Sequence, residues 1–68
     1  MADVNVGKNQ IVDFMLVGIG SAVSLQDPDA PGYTLVHTTT AEVEIMRVIG
    51  NTDVRITGGT FFKSVSVQ

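Results

Sequence analysis

Few side chains in this chain could do covalent or acid–base chemistry, and their spacing argues against most of it. His37 is the single histidine and there is no cysteine. A nucleophile activated by imidazole would therefore be a serine or threonine, and none stands in a Gly-x-Ser-x-Gly pattern. Asp27 and Asp29 bracket Pro28, but a calcium loop gathers about six to eight oxygens; a solvated turn accounts for the pair. Gly18-Ile19-Gly20 opens like a dinucleotide fingerprint, yet Val23 stands where a third small residue is needed, and the chain has no room for a complete βαβ unit. Glycines so placed mark a bend or a close approach of backbones instead. A structural zinc site needs about four Cys, His or carboxylate ligands, and His37 is the only soft one. The expectation is no catalytic residue, no cofactor and no metal, hence not an enzyme.

Asp13 is of more interest. It sits inside the apolar run Ile11, Val12, Phe14, Met15, Leu16 and Val17, where a carboxylate either faces solvent or pairs with a cation. Lys8 and Arg47 are candidates for a partner supplied by a neighbouring subunit, and such a pair would fix the register of an interface.

The composition points the same way. The chain has 68 residues, 44% of them hydrophobic, with a formal charge of −3. A domain this small buries only about 60% of the surface its unfolded chain exposes, and chains of this size usually add disulfides, a metal or oligomerisation. Oligomerisation is what remains. The seven glycines and two prolines are scattered as turn punctuation, so residues 1–68 read as one small β domain. Nucleic acid is a disfavoured partner, since the pI is near 4.6 and only Lys8, Arg47, Arg55 and Lys63 are available to neutralise phosphates. The apolar stretch 14–26 is glycine-broken and shorter than the roughly 20 residues of a membrane span. Met1-Ala2-Asp3-Val4 lacks the basic start and apolar core of a secretory signal. Synthesis in the cytoplasm without membrane insertion is expected, and incorporation into a particle is compatible with it.

The elements that must position these residues read as strands. Residues 10–17 form a nearly continuous apolar run, as in a strand covered on both faces by its own domain or by a neighbour, and residues 22–25 could pair with it across Gly18 to Ser21. Pro28 and Pro31 make 27–32 a surface loop. Thr39 with Glu42 resembles a capping box, but the β-branched content and the alternation from Ala41 to Ile45 favour a strand over 40–49. Gly50-Asn51 and Gly58-Gly59 are two-residue breaks between β-branched runs, a strong hairpin signal. They predict a C-terminal three-stranded meander in which Ile45, Ile56 and Phe61 form one buried cross-strand row. The expected fold is mainly β: a small antiparallel sandwich or open barrel, completed by oligomerisation.

The segment Glu42-Val43-Glu44-Ile45, with Thr52 and Gly59, resembles the later strands of the tryptophan RNA-binding attenuation protein family, small β subunits that form rings. The resemblance is confined to this segment, and the alternation around Val54-Arg55-Ile56 runs out of phase with the family's. It implies a ring that reads RNA with basic side chains, for which Arg55 is the one counterpart here; Thr57 stands where another would be wanted.

Two functional readings follow. In the first, the chain is a non-enzymatic structural subunit that self-associates through strand edges and apolar faces, such as a virion decoration or connector protein or a filament subunit. Its partners would be copies of itself, or another structural protein such as a capsid protein. The last run, Phe61 to Val67, alternates without a charged tail or proline to blunt it, so it and residues 10–17 would supply intersubunit pairing. The interface residues would be Asp13, Phe14, Leu16, Phe61, Phe62, Val65 and Val67. In the second reading, a ring-forming regulatory module holds a small ligand or RNA in a cleft of Tyr33, His37, Thr38, Thr39, Thr40 and Arg55.

Overall fold

The computed structural model describes residues 2–30 and 32–67, with Ala2 and Leu35 through their backbone alone; Pro31 of the expected loop lies outside the described residues. The chain is mainly β, without a helix among those residues, and none therefore is long and apolar enough to cross a membrane. Seven strands follow in order: β1 (Ala2–Val6), β2 (Gln10–Val17), β3 (Ala22–Gln26), β4 (Thr34–Thr38), β5 (Val43–Ile49), β6 (Thr52–Thr57) and β7 (Thr60–Val67). They make two antiparallel sheets, one ordered β1-β6-β3-β4 and the other β5-β2-β7. Residues 43–49 are strand, in keeping with their β-branched content, and not the capped helix that the Thr39–Glu42 spacing resembles.

One row of inward side chains from each sheet supplies the core. Val12, Phe14 and Leu16 of β2 and Val48 of β5 meet Val6, Val23, Val54 and Ile56 from the four-stranded sheet. Phe61 of β7 closes this cluster, its ring tilted against Phe14 at a centroid distance of 6.0 Å. The alternation along β2 is strict, with Val12, Phe14 and Leu16 buried and the intervening residues open to solvent, as a sheet with one covered face requires.

The expected meander is not formed. β5 and β7 both pair with β2, while β6 lies in the other sheet between β1 and β3. The cross-strand row is lost with it: Ile56 is buried, but Ile45 is 67% exposed and opposite Met15. The turns themselves are of the expected kind, since Gly50 and Asn51 have φ of 37° and 52°, and Gly58 and Gly59 have 79° and 60°. Their hydrogen bonds explain the difference. Gly50 N–H donates to the Gln10 carbonyl and Asn51 N–H to the Gly7 carbonyl, so this turn is tied to the β1–β2 turn and the strands on either side diverge into separate layers. A two-residue reversal does not oblige its flanking strands to pair. Residues 22–25 likewise pair with β4 and β6 and not with β2.

The β2–β3 crossing is fastened by Thr39. Its buried hydroxyl accepts the Ser21 N–H at 2.9 Å and donates to the Gly18 carbonyl at 2.8 Å, and Thr39 N–H donates to the Ser21 carbonyl. Gly59 approaches the same corner so closely that a Cβ there would lie 2.5 Å from the Val17 carbonyl oxygen and against Ser21 Oγ. Gly20 has a similar left-handed φ, 86°, but nothing near its Cβ position. Gly20→Ala should therefore cost only the left-handed backbone penalty of about 1–2 kcal/mol. Gly59→Ala should cost clearly more, measured as urea midpoints; equal losses would contradict the close approach.

Candidate functional site

The two sheets differ in what they show to solvent. Residues directly opposite one another on antiparallel strands share a face, so the registers define each outer surface. On the four-stranded sheet the outward residues are Asp3 and Asn5, Asp53, Arg55 and Thr57, and Ala22, Ser24 and Gln26. This surface is polar and internally paired: Asp3 accepts two hydrogen bonds from Arg55, at 3.0 and 3.4 Å, and Asn5 donates to Asp53.

The outer face of the three-stranded sheet is apolar. In order along β2 its cross-strand rows are Ile49-Ile11-Ser66, Arg47-Asp13-Ser64, Ile45-Met15-Phe62 and Val43-Val17-Thr60, so a polar row separates the first apolar row from the other two. Val43, Ile45, Ile49 and Phe62 are each more than half exposed. An antiparallel sheet with one solvated face normally alternates apolar inward with polar outward, and here both sides of β5 and β2 are apolar. Large contiguous apolar patches on a soluble protein mark interaction surfaces.

Asp13 finds its cation inside the chain. Arg47 of β5 stands directly across from it and donates through Nε to Oδ1 at 2.8 Å and through Nη2 to Oδ2 at 3.1 Å. The ion pair with Arg47 expected from a neighbouring subunit is thus intramolecular, and Lys8 has no part in it. The hydrogen bond from Arg47 holds the Asp13 carboxyl below the usual carboxylate range, as that from Arg55 does for Asp3.

Two more interface expectations are overturned by burial. Phe14 and Leu16 are fully enclosed in the chain's own core, and β2 is a central strand with partners on both sides, closed to intersubunit pairing. Phe61 is half-buried against that core. Phe62, Val65 and Val67 are exposed.

The residues expected to line one ligand cleft fall into separate groups. Tyr33 stacks on Arg55, whose guanidinium carbon lies 4.1 Å from the ring centroid; Arg55 is further engaged by Asp3. Thr39 is the buried fastener of the β2–β3 crossing. His37 lies on β4, where Nε2–H donates to Glu44 Oε1 at 2.5 Å, while Glu44 Oε2 accepts the N–H groups of Thr40 and Ala41 at 2.7 and 3.0 Å. His37 and Glu44, with Leu16, Val36, Ile45 and Met46, line a half-open cleft of about 350 Å³ between the β4 and β5 edges. Glu44 was not singled out in the sequence; its place opposite a histidine arises only from the layering. The three donors depress its carboxyl pKa, His37 most. Among the described residues no group of three His, Asp or Glu side chains is placed to hold a metal ion. Asp27 Oδ1 accepts the Asp29 N–H, an ordinary turn arrangement.

Comparison with protein-family models, with characterised proteins and with solved structures finds no significant match to this chain.

These carboxylates make stability pH-dependent in one direction. A group whose pKa is depressed by folding contributes above its unfolded value and loses that contribution as pH falls through the folded one. The melting temperature should decline as pH falls from about 4.3 downward, the ordinary range of free carboxylates. Glu44→Gln should lower the melting temperature at about pH 7 and make the acid decline shallower, which a thermal melt series reads. An unchanged acid profile would show that Glu44 does not hold His37 and the Thr40–Ala41 turn in solution.

Proposed function

We propose that this chain is a non-enzymatic structural subunit that self-associates, using the outer face of the β5-β2-β7 sheet and its open edges. The single observation that carries the reading is the apolar outer surface of that sheet, set against the polar outer surface of the other. Neighbouring copies are the natural cover for such a face, and the Asp13–Arg47 pair at its middle gives a polar mark by which two faces can be aligned. Small building units of larger assemblies, such as virion decoration or connector proteins and filament subunits, call for this combination of a self-contained core and an adhesive face. The partner is then another copy or a structural protein such as a capsid protein. The fold within one subunit is a small two-layer sandwich.

A second reading, a ring-forming module with a small ligand between subunits, is favoured by the cleft at His37. Its position at the β4 and β5 edges puts it where an adjoining subunit could close it.

Sedimentation over a range of concentrations tests the leading reading. The wild type should exceed its 7.2 kDa subunit mass increasingly with concentration. A chain carrying Val43→Lys and Ile45→Lys should stay at the subunit mass, with an unfolding free energy changed by only about 0.5 kcal/mol per exposed site. A wild type that sediments as a monomer throughout would falsify the proposal.

A further inference from the structure

The four sheet edges are not equally protected. β1 carries Asp3 on its exposed flank. β4 is bulged, since His37 is opposite Val23 and Leu35 opposite Ser24, leaving Val36 as the extra residue; bulges of this kind spoil an edge for further pairing. β5 carries Glu44 and Arg47. β7 has none of these devices beyond Lys63: it is eight residues long and pairs with β2 in unbroken register from Thr60 to Val67. On its far side, every second residue directs its N–H and C=O outward without a strand partner.

β7 also has an uncovered inner row. Val65 lies opposite buried Val12 and Val67 opposite Gln10, so both point to the side of the sheet on which the core lies. The four-stranded sheet does not reach them: Val65 is 51% and Val67 83% exposed. Apolar side chains on the core side of a strand, left open because the four-stranded sheet does not cover them, fit a seat for a further strand beside β7.

We propose that this seat is filled by β7 of a second copy, antiparallel, about a two-fold axis passing at Ser64, giving a six-stranded sheet β5-β2-β7-β7-β2-β5. The inference rests on the self-association reading and specifies how one contact is made. Two arguments select the copy and the register. A two-fold axis normal to the sheet keeps each face on its own side, so only residues of like parity can be opposed. Centring on Lys63 would set two ammonium groups opposite each other, which is destabilising. Centring on Ser64 opposes two small hydroxyls, places Lys63 beside Val65 of the other copy with its charge free to reach water, and brings Val67 next to the other copy's Phe61. The exposed valine row is then continued by an aromatic ring already seated on a core. Closed two-fold contacts of this isologous type are the commonest in homo-oligomers. The two apolar outer faces end on the same side, forming one continuous surface.

Because the chain has no cysteine, single substitutions report this geometry directly. Opposed residues across an antiparallel pair have Cα atoms about 4.5–5.5 Å apart, inside the roughly 4.4–6.8 Å that a disulfide bridges. With the axis at Ser64, the two copies of residue 66 are offset by four positions, about 13 Å along the strands. Mild oxidation should therefore link Ser64→Cys chains into a covalent dimer roughly tenfold faster than Ser66→Cys chains, a contrast set by the reach of a disulfide. Both sites are exposed, and sedimentation of the reduced variants checks that their assembly matches the wild type. Faster linkage of Ser66→Cys overturns the register. Self-association without linkage at either site overturns the edge contact and leaves the self-association reading standing. A monomeric wild type overturns both.

Discussion

The packing of Phe14, Leu16 and Val12 of β2 against Val54, Ile56, Val23 and Val6 is the contact on which the rest of the molecule depends. β2 is the only strand of its sheet with neighbours on both sides, so these inward residues also decide the placement of β5 and β7. β6 does the same with β3 for the opposite layer. Removing any of the largest of these side chains would leave a cavity that a chain of this size has little surplus stability to offset, since such losses cost about 2–5 kcal/mol.

Two antiparallel sheets built from the seven strands of the described residues need the chain to pass repeatedly between sheets, and the polar groups exposed at each passage must be satisfied. Five connections change sheet, and the β3–β4 loop alone stays within one. Two corners do most of this fastening. At one, Thr39, Ser21 and Gly18 close a hydrogen-bonded cluster that Gly59 caps by close approach. At the other, the Gly50-Asn51 turn bonds to Gly7 and Gln10. No buried side-chain nitrogen or oxygen among the described residues is left without a partner. The glycines other than Gly32 therefore sit at these corners, and the motif-like Gly18-Ile19-Gly20 is explained by geometry at one of them.

Strand existence was legible from the β-branched runs, and so were the tight turns, because positive φ at Gly50, Asn51, Gly58 and Gly59 is what their residue types favour. Layer assignment was not. A Gly-containing reversal specifies local dihedrals, whereas the choice between pairing and diverging is made by distant groups, here the Gln10 and Gly7 carbonyls. Facing was equally hidden for β5: with Val43, Ile45 and Ile49 on one side and Met46 and Val48 on the other, alternation cannot say which side is buried. The run at 10–17 was legible as apolar on both faces. Its own chain covers the Val12, Phe14 and Leu16 face, while Ile11, Met15 and Val17 belong to the open one. Asp13 was legible only as a carboxylate that either faces solvent or pairs with a cation, because a cross-strand partner within the chain and one from a neighbour have the same sequence signature.

The accessible surface also separates two reasons for association that the composition alone merges. A folded monomer of 7.2 kDa is expected to expose about 4,100 Å², and this chain exposes 4117 Å². Its core is closed by its own strands and its total exposure is ordinary for its mass. The inward row is open only at its β7 end, where Val65 and Val67 stand exposed. What is unusual is where the apolar surface lies: it is gathered on one sheet and continues along β7, while the other sheet is polar and paired to itself. In the self-association we propose, folding would reside in the inward rows and association in the outward row and the β7 edge, on different side chains. On that proposal, replacing an outward residue would change assembly while leaving the inward rows in place.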